Sequence, residues 1–225
     1  MIEIVPPQLY SAFKSELLEM HRMRYEIFKE RLDWEVPARN GMERDEFDDL
    51  SPTYFLAFDD DDDSLIGLWR LLPTTGPTMI GTTFAQLLDG HPLPSRPDFW
   101  EVSRLAIKVD SVELRSLRTL HSLNRTTFEM FCALIEFCLA EGIREVASVH
   151  DVVIARLLRR AGLIPYWQGN YHRIGKSRAV AGYFHATPEL LDDVKHRGGI
   201  MSSVVQSSQW HLTAPSRTAT TPLHV

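Results

Sequence analysis

Phe99 to Val109 reads FWEVSRLAIKV. The run alternates as a strand does, and it carries an acid and a base, Glu101 and Arg104, near its centre. The stretch from Leu120 to Ala140 follows, apolar and long enough for a buried helix that Gly142 stops. Next comes IREVASVH, Ile143 to His150, a short apolar run of the kind that forms a buried strand. Strand, long helix and strand in succession predict a crossover connection within one sheet.

Upstream of this unit, Thr53 to Pro73 contains two β-rich runs around an aspartate-rich connection, which predicts a hairpin with a solvated turn. Leu9, Phe13, Leu17, Met20, Tyr25 and Phe28 recur at helical spacing, so the first helix is expected to run to about Lys29. Leu32 to Ser51, with Pro37, Asn40-Gly41 and many acids, reads as a long loop. The segment TTFAQLLDG, Thr82 to Gly90, predicts a short helix with a threonine cap.

Downstream, Asp151 and Gly162 bracket a helix as its cap and stop, and Leu163–Gly175 and Ser177–Ala186 read as further strands. Thr187-Pro188 opens a last helix. The expected fold is α/β, an α+β three-layer sandwich around a mixed, partly antiparallel sheet. One domain over residues 1–198 is expected, and the Ser-, Thr-, Pro- and Gln-bearing residues 199–225 read as a flexible tail.

The chain has 225 residues, 44% of them hydrophobic, enough for one domain with a substantial core. A net charge of −6 argues against a nucleic-acid protein. The first residues lack the pattern of a secretory signal, and no apolar run has membrane-spanning length, so a cytoplasmic location is expected. Cys132 and Cys138 read as buried thiols, and the histidines form no pair at metal-ligand spacing, so no metal site is expected.

Candidate chemistry lies in the charged residues. Residues three apart on a strand point to opposite faces, so Glu101 and Arg104 can share a site only if a bulge or a splayed strand turns one of them. Arg24, Phe28, Trp34, Asp45, Asp48, Arg70, Glu101 and Arg104, in this order and at these spacings, resemble the signature of the LuxI-type acyl-homoserine-lactone synthases. The resemblance extends through RLLPTTGPTM, Arg70 to Met79, and through WEVSRLAI.

This resemblance implies a fold like that of GCN5-related N-acetyltransferases, with two central strands splayed to admit an acyl chain. It also implies a reaction in which the amine of S-adenosylmethionine attacks an acyl thioester. The methionine carboxylate then closes a lactone and expels methylthioadenosine. S-adenosylmethionine is thus a substrate, and neither a cofactor nor a metal is expected.

A sulfonium with an adenine and an amino-acid end calls for aromatic surface, acidic surroundings and a cation for its carboxylate. Phe28 and Trp34 are candidates for the first, Asp45 and Asp48 for the second, and Arg24 or Arg104 for the third. Asp45, Asp48 and Arg70 also suit a charge network that orders the loop. Glu101 is the candidate general base.

Phe128, Phe131, Leu134 and Ile135 of the long helix, with the strand VASV, are expected to form the acyl pocket. Ser148 stands approximately where the family can place a hydroxyl against an oxidised third acyl carbon. Arg156, Arg159 and Arg160 offer a basic face for an acyl carrier protein, the favoured donor, with acyl-coenzyme A as the other. Two rival readings are an acyl-coenzyme A N-acyltransferase of the same fold and an inert binding protein. The first lacks the glycine-rich pyrophosphate turn, since LRSLRTLHSLN has no glycine. The second predicts the loss of a signature charge, and all are present.

Overall fold

A computed structural model describes residues 1–108 and 125–205. Its main sheet has the order β1-β4-β5-β6-β7-β10-β8, with β9 also paired to β10. These strands are β1 (Ile2–Val5), β4 (Thr53–Phe58), β5 (Leu65–Pro73), β6 (Phe99–Ile107), β7 (Glu145–Asp151), β8 (Trp167–Gln168), β9 (His172–Ile174) and β10 (Ser177–His185). All pairs are antiparallel except β6 with β7. A parallel pair needs a crossover, and helix α2 (Arg125–Glu141) lies between its two strands in the chain. Residues 120–124, expected at the start of this helix, lie outside the described residues.

Strand alternation divides the core into layers. Phe55, Ala57, Trp69, Leu71 and Val102 turn to one face and pack with α2 residues such as Phe131 and Phe137. Leu158 of helix α3 (Val152–Arg160) and Val194 of helix α4 (Pro188–Gly198) complete that layer. Tyr54, Leu56, Phe58 and Leu68 turn to the other face, against Met20 and Met23 of helix α1 (Lys14–Arg24). The result is the expected three-layer arrangement.

The bulge and the splay both occur. Leu68 pairs with Ala106 and Arg70 with Ser103, so Arg104 and Leu105 together face the single residue Trp69. Arg104 takes a left-handed backbone with φ 56°, a strained conformation for a residue with a side chain. The β6–β7 register runs from Phe99 opposite Glu145 to Val102 opposite Ser148 and stops there, although both strands continue. Beyond that point the two strands part.

Several local expectations are corrected. The expected first helix is a 3-10 turn at Pro7–Leu9, α1, and then a π-helical segment over Tyr25–Arg31. The terminal Ile2–Val5, not expected as a strand, is β1 because Ile2, Ile4 and Val5 are buried against β4. The loop over Leu32–Ser51 holds a small hairpin of β2 (Ala38–Arg39) and β3 (Met42–Glu43), then a 3-10 turn at Glu46–Leu50. The short helix near Thr82 is only a 3-10 turn, Ala85–Leu88. It has no threonine cap, because the Thr82 hydroxyl donates to the Thr78 carbonyl.

The packed chain continues past Gly198 to Val205. Ile200 and Val205 are buried, and Val205 bridges Ile2 in parallel. One carboxylate oxygen of Glu136 accepts from the Ser203 hydroxyl and from the amides of Val204 and Val205. The rest of the expected tail, residues 206–225, lies outside the described residues.

Candidate active site

The knot of acids after the first helix is a cap before it is anything else. Asp45 accepts from the Phe47 amide at 3.0 Å, and Asp48 accepts from the Asp45 amide at 2.8 Å, so each carboxylate satisfies an amide at the head of the 3-10 turn. The outer oxygens of both are thereby aimed toward the sheet.

Three guanidiniums meet them. Arg24, fully buried at the end of α1, engages Asp48 with two nitrogens at 2.7 and 3.0 Å and Glu43 with its Nε. Arg70 of β5 engages Asp45 with both terminal nitrogens, Asp48 at 2.8 Å and the Ser103 hydroxyl at 3.2 Å. Arg104, turned inward by the bulge, reaches Glu43 at 2.8 Å and Asp45 at 2.7 Å. The Tyr54 hydroxyl donates to Asp48 at 2.7 Å. Three buried cations thus face three buried carboxylates, the only balance that avoids an uncompensated charge in the interior.

Glu43 was not among the expected site residues. In sequence it follows Asn40-Gly41 and reads as one of the many acids of a long loop. The signal that could have found it is charge balance, because Asp45 and Asp48 alone leave one of three converging arginines unpaired.

The electrostatics follow from the packing. Burial alone would raise the Asp48 carboxyl, but Arg24 and Arg70 hold it well below the usual carboxylate range. Burial opposes the charge on Arg24 too, and Asp48 and Glu43 more than offset it. For Arg104, burial and the neighbouring Arg24 and Arg70 prevail, so its affinity for a proton is reduced. Arg104 also has a free hydrogen-bonding group, since its buried Nε has no partner.

Glu101 stands beside this network without joining it. It accepts from the Met79 amide at 2.8 Å and the Ile80 amide at 3.1 Å and makes no ion pair among the described residues. Burial raises its pKa to about 7, against the opposing pull of the two amides and of Arg70 and Arg104. A carboxyl poised near neutrality is suited to take a proton. Met79 connects the two parts, because its sulfur lies 3.1 Å from Arg70 Nη2 and 3.4 Å from Arg104 Nη1.

The aromatic residues flank Arg104. Its guanidinium lies over the Phe28 ring, 5.4 Å from the centroid, and Phe28 in turn stacks on Trp34 at 5.4 Å and 17°. Trp34 is half-buried and Phe28 buried. The eight signature residues therefore converge on one place.

The other candidates lie elsewhere. Phe128, Phe131, Leu134 and Ile135 are buried in the core on the α2 face of the sheet, where Phe131 packs on Trp69 and Phe128 lies against Gly198 of α4, and half-buried Ser148 is the last β7 residue paired with β6. Arg156, Arg159 and Arg160 are exposed on α3, where Arg159 donates to Gln168 at 3.0 Å. Among the described residues no group of three or more His, Cys, Asp or Glu side chains is arranged to hold a metal ion. No described helix is long and apolar enough to cross a membrane.

Residues 8–194 match the model of the autoinducer synthase family. The chain belongs to that family. A curated acyl-homoserine-lactone synthase of Rhizobium radiobacter is 38% identical over 194 residues, covering 86% of this chain and 90% of that one. Among solved structures, the acyl-homoserine-lactone synthase LasI superposes with a TM-score of 0.73 at 33% identity, covering 87% of this chain and 94% of that one. BjaI, a CoA-dependent acyl-homoserine lactone synthase with SAM and isopentyl-CoA bound, superposes with a TM-score of 0.77 at 27% identity, covering 92% of each chain. The autoinducer synthase described here is an acyltransferase with a GNAT-like fold.

Proposed function

We propose that this synthase acylates the amine of S-adenosylmethionine from an acyl thioester and closes the product to an acyl-homoserine lactone, releasing methylthioadenosine as a quorum-sensing signal is made. The observation that carries the reading is the juxtaposition at Met79 of Arg104, a guanidinium with an unused N–H, and Glu101, a carboxyl raised to about 7.

In this reading Arg104 rather than Arg24 takes the substrate carboxylate, because every nitrogen of Arg24 is already engaged by Glu43 or Asp48. Trp34 and Phe28 provide the aromatic surface for the sulfonium and adenine. Arg24, Arg70, Glu43, Asp45 and Asp48 hold the loop and Arg104 in place. Glu101 takes the proton that the ammonium must lose before its nitrogen attacks the thioester carbonyl. The carbonyl oxygen gains charge as the bond forms, and the thiolate leaves with the electron pair of the broken C–S bond. The carboxylate then displaces methylthioadenosine at the carbon attached to sulfur, and the ring closes without a cofactor.

The acyl chain passes between the parted ends of β6 and β7 toward Phe128, Phe131, Leu134, Ile135 and Ser148. The exposed Arg156, Arg159 and Arg160 favour an acyl carrier protein as donor, since that partner is acidic. Acyl-coenzyme A is the second donor, favoured by the CoA-dependent relative that superposes over most of the chain. Both donors and S-adenosylmethionine place the reaction in the cytoplasm.

Mass spectrometry of extracts from cells expressing the protein tests this function. An acyl-homoserine lactone absent from control cells is expected, and its absence under every growth condition would overturn the reading.

A further inference from the structure

Two buried polar atoms on the α2 face of the sheet have no hydrogen-bond partner, Trp69 Nε1 on β5 and His150 Nδ1 on β7. They stand on either side of β6, the strand that parts from β7. The Trp69 ring packs against Phe131 with centroids 5.8 Å apart, and the His150 ring against Phe184 at 5.9 Å. Val102, Phe128, Val146 and Leu158 belong to the same apolar core.

His150 is only 7% exposed, so solvent does little to satisfy it. On the neighbouring strand a side chain at Gly182 would meet the imidazole, because an ideal Cβ there lies 3.4 Å from His150 Cε1. Burial, helped by the charge of Arg159 and opposed by a hydrogen bond to the Ser148 carbonyl, lowers the imidazole pKa to about 4, and the ring is neutral under physiological conditions. A neutral imidazole offers one N–H and one lone pair; with the N–H turned to the Ser148 carbonyl, the lone pair is left unused in an apolar wall, which is unfavourable.

The register places this group relative to the reacting centre. Ala147 is the β7 partner of Glu101, and Ser148 is the next residue. His150 lies three residues beyond Ala147, roughly 10 Å along the strand, and on the same face as Ser148. A substituent that meets His150 is therefore farther from the thioester than one that meets Ser148.

Resting on the synthase reading above, we propose that His150 is a specificity residue for an acyl group bearing a hydroxyl several bonds beyond the thioester, its lone pair accepting from that hydroxyl, with the indole N–H of Trp69 as a donor on the same face.

The test uses purified enzyme, S-adenosylmethionine and thioesters of one eight-carbon chain: plain, hydroxylated on the third carbon, and hydroxylated on one of the last three carbons. The wild type is expected to favour the distal hydroxyl over the plain chain by about tenfold in kcat/KM, the effect of one made hydrogen bond. His150→Val should remove or invert that ratio and leave the third-carbon ratio unchanged, and His150→Gln should retain the preference.

Equal wild-type efficiency with plain and distally hydroxylated chains would overturn the proposal while leaving the synthase reading in place. An unchanged ratio in His150→Val would do the same. A wild-type enzyme inactive with every donor would overturn the synthase reading and the proposal together.

Discussion

Glu101 and Arg104 stand three residues apart on β6 and both reach Met79, Glu101 through the amide at 2.8 Å and Arg104 through the sulfur at 3.4 Å. In a regular strand they would face opposite layers. The bulge opposite Trp69 and the positive φ of Arg104 bring them to one site. The strain of that backbone is offset by the ion pairs Arg104 makes with Glu43 and Asp45.

Glu101→Gln keeps the shape of the side chain and removes its ability to take a proton. Acyl transfer should slow by about 10²- to 10⁴-fold, with the dissociation constant for S-adenosylmethionine nearly unchanged. Steady-state kinetics and calorimetric titration separate the two effects, and unchanged turnover would remove Glu101 as the base.

The raised pKa of Glu101 also fixes a pH dependence. Activity requires the carboxylate, so kcat/KM should rise with pH through about 7 in the wild type and lose that limb in Glu101→Gln. Stability carries the opposite sign: a carboxyl whose folded pKa is raised binds more protons when folded, so its contribution is fullest below 4.5 and declines as pH rises toward 7.

Asp48 behaves in reverse. Its folded pKa is depressed, so its contribution to stability is present above the ordinary carboxylate pKa and is lost as the pH falls below it. Asp48→Ala leaves Arg24 and Arg70 partly unpaired in the interior and should destabilise the fold by about 3–5 kcal/mol, read by urea denaturation at neutral pH. A loss below about 1 kcal/mol would mean that solvent reaches the network.

Trp34→Ala removes the exposed side of the aromatic stack on Phe28. Binding of S-adenosylmethionine should weaken by roughly 3- to 30-fold, in line with cation–π energies of about 0.5–2 kcal/mol. Thermal stability should change little, because Trp34 is only half-buried.

Arg156, Arg159 and Arg160 changed together to Ala should raise KM for an acyl carrier protein donor by about tenfold, three exposed charge contacts at ~0.2–1 kcal/mol each. The KM for acyl-coenzyme A should move much less. Equal effects on both donors would discard the docking face.

The crossover unit from Phe99 to His150 was legible because strand and helix periods differ sharply there. The bulge was legible too, since Glu101 and Arg104 can share chemistry only if the strand is distorted. Other features depend on tertiary contacts that local patterns do not encode. Ile2–Val5 becomes a strand only by pairing with β4, and Glu43 is buried only because Arg24 and Arg104 converge on it. The charge network of the acid-rich loop was only partly visible for the same reason: Asp45, Asp48 and Arg70 suited one network, but its balance depends on arginines from α1, β5 and β6, distant in the chain. His150 resembled an ordinary strand residue until its register past Ser148 and its unpartnered nitrogen were in view.

The most direct measurement follows the purified enzyme through a single course of reaction with S-adenosylmethionine and an acyl thioester, quantifying free thiol, methylthioadenosine and lactone together. Equal amounts of all three are expected. Thiol released without methylthioadenosine would mean that the enzyme acylates an amine but closes no lactone, and the proposed reaction would be wrong.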